Sequence, residues 1–227
     1  MNALIIGGST GIAAATIDLL NSKNISTTSI NRSGQTKATT AIQCDILKDE
    51  LPELDEQPDA IIYFPGTINL KPFRGIKPEE FKADWEINFL GAIKVIQKYG
   101  PLLSTSENAS IILFSTVAVQ TGMPFHASIS AAKGAIEGLT RSLAAEFAPK
   151  IRVNCIAPSL TETPLAYRLI DNEVKLKSAQ ERHPIKRIGS PTDLASLVHW
   201  LISENAKFMT GQVITIDGGI GSLVLGR

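Results

Sequence analysis

The segment Gly7-Gly8-Ser9-Thr10-Gly11-Ile12-Ala13 lies between a short apolar run and a helical pattern. Glycines at such a junction let backbone N–H groups approach a phosphate closely, and the positive end of the following helix adds attraction. A tight turn without a ligand is the plain alternative. Its place at the first strand-to-helix junction favours a pyrophosphate cradle. After the second apolar run stands Asn31-Arg32-Ser33, with no acid. In dinucleotide-binding α/β folds, an acid about 20 residues after the loop holds the ribose 2′-hydroxyl of NAD, whereas an arginine there suits a 2′-phosphate. Arg32 can pair with that phosphate, and Asn31 and Ser33 can add hydrogen bonds. The expectation is therefore NADP(H) over NAD(H), with Arg32 as a solvated loop residue the alternative. No cluster of His, Cys and Asp has metal-ligand spacing. No G-x-S-x-G elbow is present, which argues against a serine hydrolase.

Residues of this kind need a scaffold that brings them to one edge. The apolar runs are Ala3–Ile6, Ile25–Ile30, Ala41–Cys44, Ala60–Phe64, Ser110–Phe114, Ile151–Ile156 and Gln212–Ile216. Between most of them lie helix-length segments: Ile12–Leu20, Glu79–Tyr99, Ala131–Ala148 and Thr192–Leu201. Continuous apolar strands alternating with helices predict a doubly wound parallel α/β sheet of seven strands, a Rossmann fold with helices on both faces. One domain spanning 1–227 is expected, with 159–190 as an excursion that forms the substrate lid. Arg32 to Ala41 is too short and polar for a crossover helix. A short helix is expected near Leu47–Leu54, although Pro52 falls inside it.

Composition narrows the function classes. The chain has 227 residues, 44 % of them apolar, which is enough for a buried core. Twenty-two basic residues balance 22 acidic ones, so nothing points to nucleic acid or an anionic membrane. Cys44 and Cys155 read as buried thiols, not as a disulfide or metal framework. The first apolar run is short and ends in glycines, so it reads as a strand and not a signal peptide. No stretch suits a membrane span, and a reducing cytoplasm is expected.

The phosphate loop is close to the T-G-x-x-x-G-x-G pattern of the short-chain dehydrogenase/reductase family, with Ile6 at its threonine and Ala13 at its last glycine. Asn88-Phe-Leu-Gly91 looks like the family's N-x-x-G motif, and Ser115-Thr116-Val-Ala like its S-S-x-A segment. Lys133 heads K-G-A-I-E-G-L-T-R-S-L-A-A-E. Arg152-Val-Asn-Cys-Ile-Ala-Pro158 matches R-V-N-x-I-x-P-G, with Ser159 at the glycine, and Thr210–Gly219 matches the closing strand. The chain resembles that family over nearly its whole length.

The resemblance implies further roles. Gly7, Ser9, Thr10, Gly11 and Ile12 would hold the pyrophosphate, and Asp45 and Ile46 the adenine. Gly66, Pro158 and Thr163 would line the nicotinamide half, together with Lys133, which would bind the ribose. Many NADP-preferring relatives carry a second basic residue near the loop; Thr10 stands there, and no second one follows. The catalytic set would be Asn88, Thr116 in place of a serine, and Lys133. Four residues before Lys133 the family has a tyrosine as proton donor, and here stands Ile129. Isoleucine has no proton to give, which would cost about 10²–10⁴-fold in rate. His126, one helical turn earlier, has an imidazole suited to neutral pH and is the nearest substitute. The alternative is a histidine in a loop that lines the substrate or a subunit contact. Tyr167, Lys133 itself or a Lys133-bound water are other candidates, while Tyr63 is expected to pack under the cofactor.

Three readings follow. The first is an NADP(H)-dependent oxidoreductase on a small carbonyl or alcohol, with a non-standard donor. The second is a catalytically impaired dinucleotide-binding protein, a sensor or scaffold. The third is an isomerase or lyase. The family usually forms dimers or tetramers, so a homodimer or homotetramer is expected, with a small-molecule substrate as the only other partner.

Overall fold

The computed structural model describes residues 1–224 and 226. Seven strands form one sheet: β1 (Asn2–Ile6), β2 (Ser26–Asn31), β3 (Thr40–Gln43), β4 (Ala60–Tyr63), β5 (Ser110–Phe114), β6 (Arg152–Pro158) and β7 (Val213–Ile216). All neighbours pair in parallel, in the order β3-β2-β1-β4-β5-β6-β7. The expected architecture is the one observed.

The apolar runs are continuous because both faces of the sheet are covered. In β1, Ala3 and Ile5 enter one core and Leu4 and Ile6 the other. This follows from the two-residue period of a strand between two helical layers. One core is closed by α1 (Gly11–Ser22) and α7 (Pro191–Ile202), through Ile17, Leu20, Leu194 and Val198. The other is closed by α3 (Gly91–Tyr99) and α5 (Ala127–Phe147), through Val95, Ile96, Ile136 and Ala144.

The Glu79–Tyr99 stretch is not one helix. It divides into α2 (Pro78–Trp85), a π turn over Glu86–Leu90, and α3. The short α4 (Ala118–Thr121) follows β5, and α6 (Glu173–Arg182) lies in the excursion. The excursion is closed at its base: Thr161 bridges Gly189, and the Gly189 N–H donates to the Leu160 carbonyl at 3.0 Å.

The short helix expected between β3 and β4 is also absent: no helix forms over Leu47–Leu54. The Asp45 N–H donates to the Asp49 carboxylate at 2.7 Å and the Asp49 N–H to the Asp45 carbonyl at 2.8 Å, closing a single turn. Pro52 then prevents continuation, because it lacks the N–H a helix needs. The C-terminal strand ends carry Gly7, Asn31, Phe64, Ser115 and Ser159 to one edge. The sequence order reverses there between β1 and β4, which is where ligands bind in open α/β sheets.

Candidate active site

The phosphate loop leaves β1 with Gly7 and Gly8 at φ +98° and +119°, and Gly11 has φ +61°. L side chains avoid this region, and at Gly8 a β-carbon would also stand 2.7 Å from the Ser29 hydroxyl. Ser9 and Thr10 are exposed, and Gly11 and Ile12 half-buried. Thr10 caps α1 by position, yet its side chain accepts no hydrogen bond from the first turn. Among the described residues no side chain caps the first-turn N–H groups, which point where an anion can sit. Thr163 lies across this loop, its methyl 3.4 Å from a β-carbon placed on Gly11.

At the end of β2 the polar residues bond to one another. Asn31 is buried; its Nδ2 donates to the Ser29 hydroxyl at 3.0 Å, and its Oδ1 accepts the Ser33 N–H and hydroxyl at 3.1 and 2.9 Å. Asn31 therefore shapes the turn, with both ends of its amide engaged. Arg32 is exposed, and its guanidinium makes no hydrogen bond or ion pair among the described residues. The Asp45 carboxylate accepts the Leu47 N–H at 3.1 Å and lies 3.9 Å from Lys48 Nζ, while Ile46 is buried.

The β4–β5 side of this edge is built around Asn88 and Lys133. The π turn carries Asn88 inward, where it is fully buried. Its Nδ2 donates to the Thr67 hydroxyl and to the Asp84 carbonyl, both at 2.8 Å, and its Oδ1 accepts the Thr67 N–H at 3.3 Å. The Thr67 and Ser128 hydroxyls each donate to the buried Asp84 carboxylate at 2.6 Å. Sequence reasoning missed Asp84, Thr67 and Ser128. The one available signal was the i,i+4 spacing of Asp84 and Asn88, which puts them on one helical face. A β-carbon on Gly66 would stand 2.9 Å from Asn88 Oδ1 and 3.5 Å from Lys133 Nζ, so this glycine is the spacer between them.

Lys133 is 7 % exposed, and its ammonium makes no hydrogen bond or ion pair among the described residues. Burial lowers its pKa to about 8. Ile129, one turn earlier on α5, is buried at 4 % exposure. Next to Lys133, burial pushes the Cys155 thiol up to about 12. Thr116 stands half-buried after β5 and accepts the Ala118 N–H at 3.3 Å. Ser115 donates to the buried Glu137 carboxylate at 2.7 Å, which ties β5 to α5.

His126 is the N-cap residue of α5, following Phe125 at φ +69°. Its Nδ1 lies 2.7 Å from the Pro124 carbonyl. A carbonyl only accepts, so Nδ1 carries the proton and Nε2 is the nitrogen free to exchange one. Tyr167 is 64 % exposed on the excursion. Tyr63 is buried, and its hydroxyl donates to the Ile87 carbonyl at 2.6 Å. Burial raises its pKa, and a β-carbon on Gly91 would overlap that hydroxyl. Tyr63 is thus a packing residue beneath the site.

His183, unremarkable in sequence, is 2 % exposed and spans two partners. Its Nδ1 donates to the Ala179 carbonyl at 2.7 Å and its Nε2 faces the Ser159 hydroxyl at 3.0 Å. It pins α6 to the end of β6. Half-buried Pro158 ends that strand, and its carbonyl accepts the Val117 N–H at 3.1 Å. Among the described residues no group of three His, Cys, Asp or Glu is arranged to hold a metal, and no helix is long and apolar enough to cross a membrane.

The chain is similar to known proteins over nearly its whole length. Residues 22–221 match the family model described as enoyl-(acyl carrier protein) reductase. A tropinone reductase homolog of Arabidopsis thaliana is 34 % identical, covering 97 % of this chain and 92 % of the relative. A 2,5-dichloro-2,5-cyclohexadiene-1,4-diol dehydrogenase of Sphingobium indicum is 30 % identical, covering 97 % and 96 %. The crystal structure of a short chain dehydrogenase family protein from Francisella tularensis superposes with a TM-score of 0.88 at 28 % identity, covering 98 % of this chain and 99 % of that one. The chain belongs to the short-chain dehydrogenase/reductase family of oxidoreductases.

Proposed function

We propose that this protein is an NADP(H)-linked oxidoreductase that moves hydride between the cofactor and a small carbonyl or alcohol, with Ile129 in the family's tyrosine position and a proton donor from elsewhere. The observation that carries the reading is Lys133: a buried ammonium without a partner among the described residues, held beside Asn88 across Gly66. An unpaired buried cation costs stability, and such groups gather where a ligand completes them. The relatives' names, reductases on one side and a diol dehydrogenase on the other, fit a carbonyl–alcohol reaction.

A nicotinamide cofactor supplies or accepts the hydride. The chain's own groups would do the rest. The N–H groups at the start of α1 would hold the pyrophosphate, and Arg32 would face the 2′-phosphate. Lys133 would donate to ribose hydroxyls. The Thr116 hydroxyl would orient the substrate oxygen, and Asn88, its amide fixed by Thr67 and Asp84, would hold a relay water. His126 Nε2, with its tautomer set by Pro124, would exchange the substrate proton. The excursion 159–190 would close over the substrate within a single domain spanning 1–227. A cytoplasmic homodimer or homotetramer completes the reading.

The absent phenol favours a second reading, an impaired dinucleotide-binding protein. Calorimetric titration with NADPH and NADH, alongside NADPH oxidation over a panel of ketones, aldehydes and alcohols, separates the two. Tight NADPH binding with slow turnover of one substrate class is expected. Binding without turnover supports the second reading, and binding of neither dinucleotide overturns both.

A further inference from the structure

We propose that Lys37 is the second cation of the dinucleotide site, discriminating the 2′-phosphate of NADPH from the 2′-hydroxyl of NADH. This assignment rests on the oxidoreductase reading above and names a residue that sets its cofactor choice.

The segment between β2 and β3, where a crossover helix would ordinarily stand, is a loop that runs alongside α1, meeting Gly8 before the helix and Asn21 in its last turn. Three sets of hydrogen bonds fix it. The Thr36 hydroxyl donates to the Gly8 carbonyl at 3.3 Å. Asn21 Nδ2 donates to the Lys37 carbonyl at 2.8 Å. Thr27 and Thr39 exchange N–H-to-hydroxyl bonds at 3.2 and 3.1 Å. The backbone of Lys37 is thereby held over α1, with its ammonium 3.2 Å from the Asp18 carboxylate. Ser9, Ala14, Asp18, Gln35 and Lys37 line a cleft of about 340 Å³ that opens beside the phosphate loop. Lys37 thus lines the same cleft as Gly8 and Ser9 of the glycine loop.

The charges make the cleft selective. Lys37 and Asp18 are 79 % and 50 % exposed, so their attraction is screened by water and weak. A 2′-phosphate carries close to two negative charges and three acceptor oxygens, a stronger partner than one exposed carboxylate. Lys37 would leave Asp18 for it, with Arg32 serving the same group from the other end of the loop. A 2′-hydroxyl offers nothing that would break the Lys37–Asp18 pair. Asp18 remains as a repulsive element against the phosphate and limits its affinity.

The test is calorimetric titration of the full chain with NADPH and NADH, at low and at physiological salt. Lys37→Ala is expected to weaken NADPH binding about tenfold, to leave NADH within about twofold, and to reduce the salt dependence of NADPH binding. Asp18→Asn is expected to tighten NADPH about threefold, and Lys37→Arg to retain the preference. Both positions are exposed, so thermal melting should confirm that every variant folds. Equal weakening of both dinucleotides by Lys37→Ala would overturn the assignment, leaving Lys37 only a loop anchor. So would an unchanged NADPH preference in that variant, while the cofactor reading would stand. A wild type that prefers NADH would overturn the cofactor reading itself.

Discussion

The hydroxyl of Ser128, the residue before Ile129, donates a 2.6 Å hydrogen bond to the Asp84 carboxylate. This bond joins α5 to α2 inside the protein, and the same carboxylate holds Thr67 and through it Asn88. Removing Asp84 takes the acceptor from two hydroxyls at once, that of buried Ser128 and that of half-buried Thr67. Asp84→Ala is expected to lower unfolding stability by about 2–4 kcal/mol, and Ser128→Ala by only about 1 kcal/mol, in urea denaturation. Equal, small losses would show that the carboxylate is not the hub.

Ile129→Tyr would set a phenol one turn before Lys133, whose ammonium favours the phenolate. Ketone reductase activity is expected to rise about 10²-fold or more over wild type. Ile129 is buried, so the larger ring can cost about 1–3 kcal/mol, and melting must be checked first. A folded, dinucleotide-binding variant without the gain would count against position 129 as the seat of the missing acid.

His126→Ala tests the substitute donor. Turnover is expected to fall at least about tenfold while dinucleotide binding is unchanged, because the imidazole lies outside the phosphate loop. Full activity in this variant moves the role to Tyr167 or to a Lys133-bound water.

Lys133 gives a stability signature. Burial lowers its pKa from 10.5 to about 8, so the unfolded chain binds the extra proton between those values. Stability from this residue therefore rises with pH from about 8 toward 10.5, and the penalty is full below 8. Lys133→Met should stabilise the ligand-free protein at neutral pH by up to about 3 kcal/mol, and the difference from wild type should shrink as pH rises through that window. A difference independent of pH would mean that the amine is not buried in solution.

The expected assembly needs an exposed surface. Ala132 and Ala144 on α5 are buried in the monomer, and Leu139 and Leu143 pack on its core. Ala131, Gly138 and Ala145 remain exposed, a strip of small side chains along one helix. Light scattering at micromolar concentration is expected to give a dimer or tetramer, and Gly138→Trp to shift it toward monomer. A monomeric wild type would refute the expectation.

The strands were legible because burial on both faces leaves a continuous apolar run. The glycine-rich turn after β1 was legible because glycine alone accepts its backbone angles. What escaped lacked a local cue. The sequence reading began the long helix at Ala131, whereas α5 starts at Ala127 after a histidine whose side chain makes no cap hydrogen bond. The polar α6 buries only Ala179, so it shows no apolar face. Asp84, Thr67 and Ser128 meet only through the fold, as do Lys37 and Asp18. Arg32 and Lys133 could be named from their positions, but that Asn31 bonds to Ser29 and Ser33, and that Lys133 is buried with no partner among the described residues, depends on the folded arrangement.

The packing of Tyr63 beneath the site ties two positions into a single evolutionary unit. A side chain at Gly91 has room only where the Tyr63 oxygen now stands. Gly91→Ala alone should therefore be strongly destabilising, and far milder in a Tyr63→Phe background, where the oxygen is gone. The overlap at this one atom therefore favours loss of the phenol before any change at the glycine.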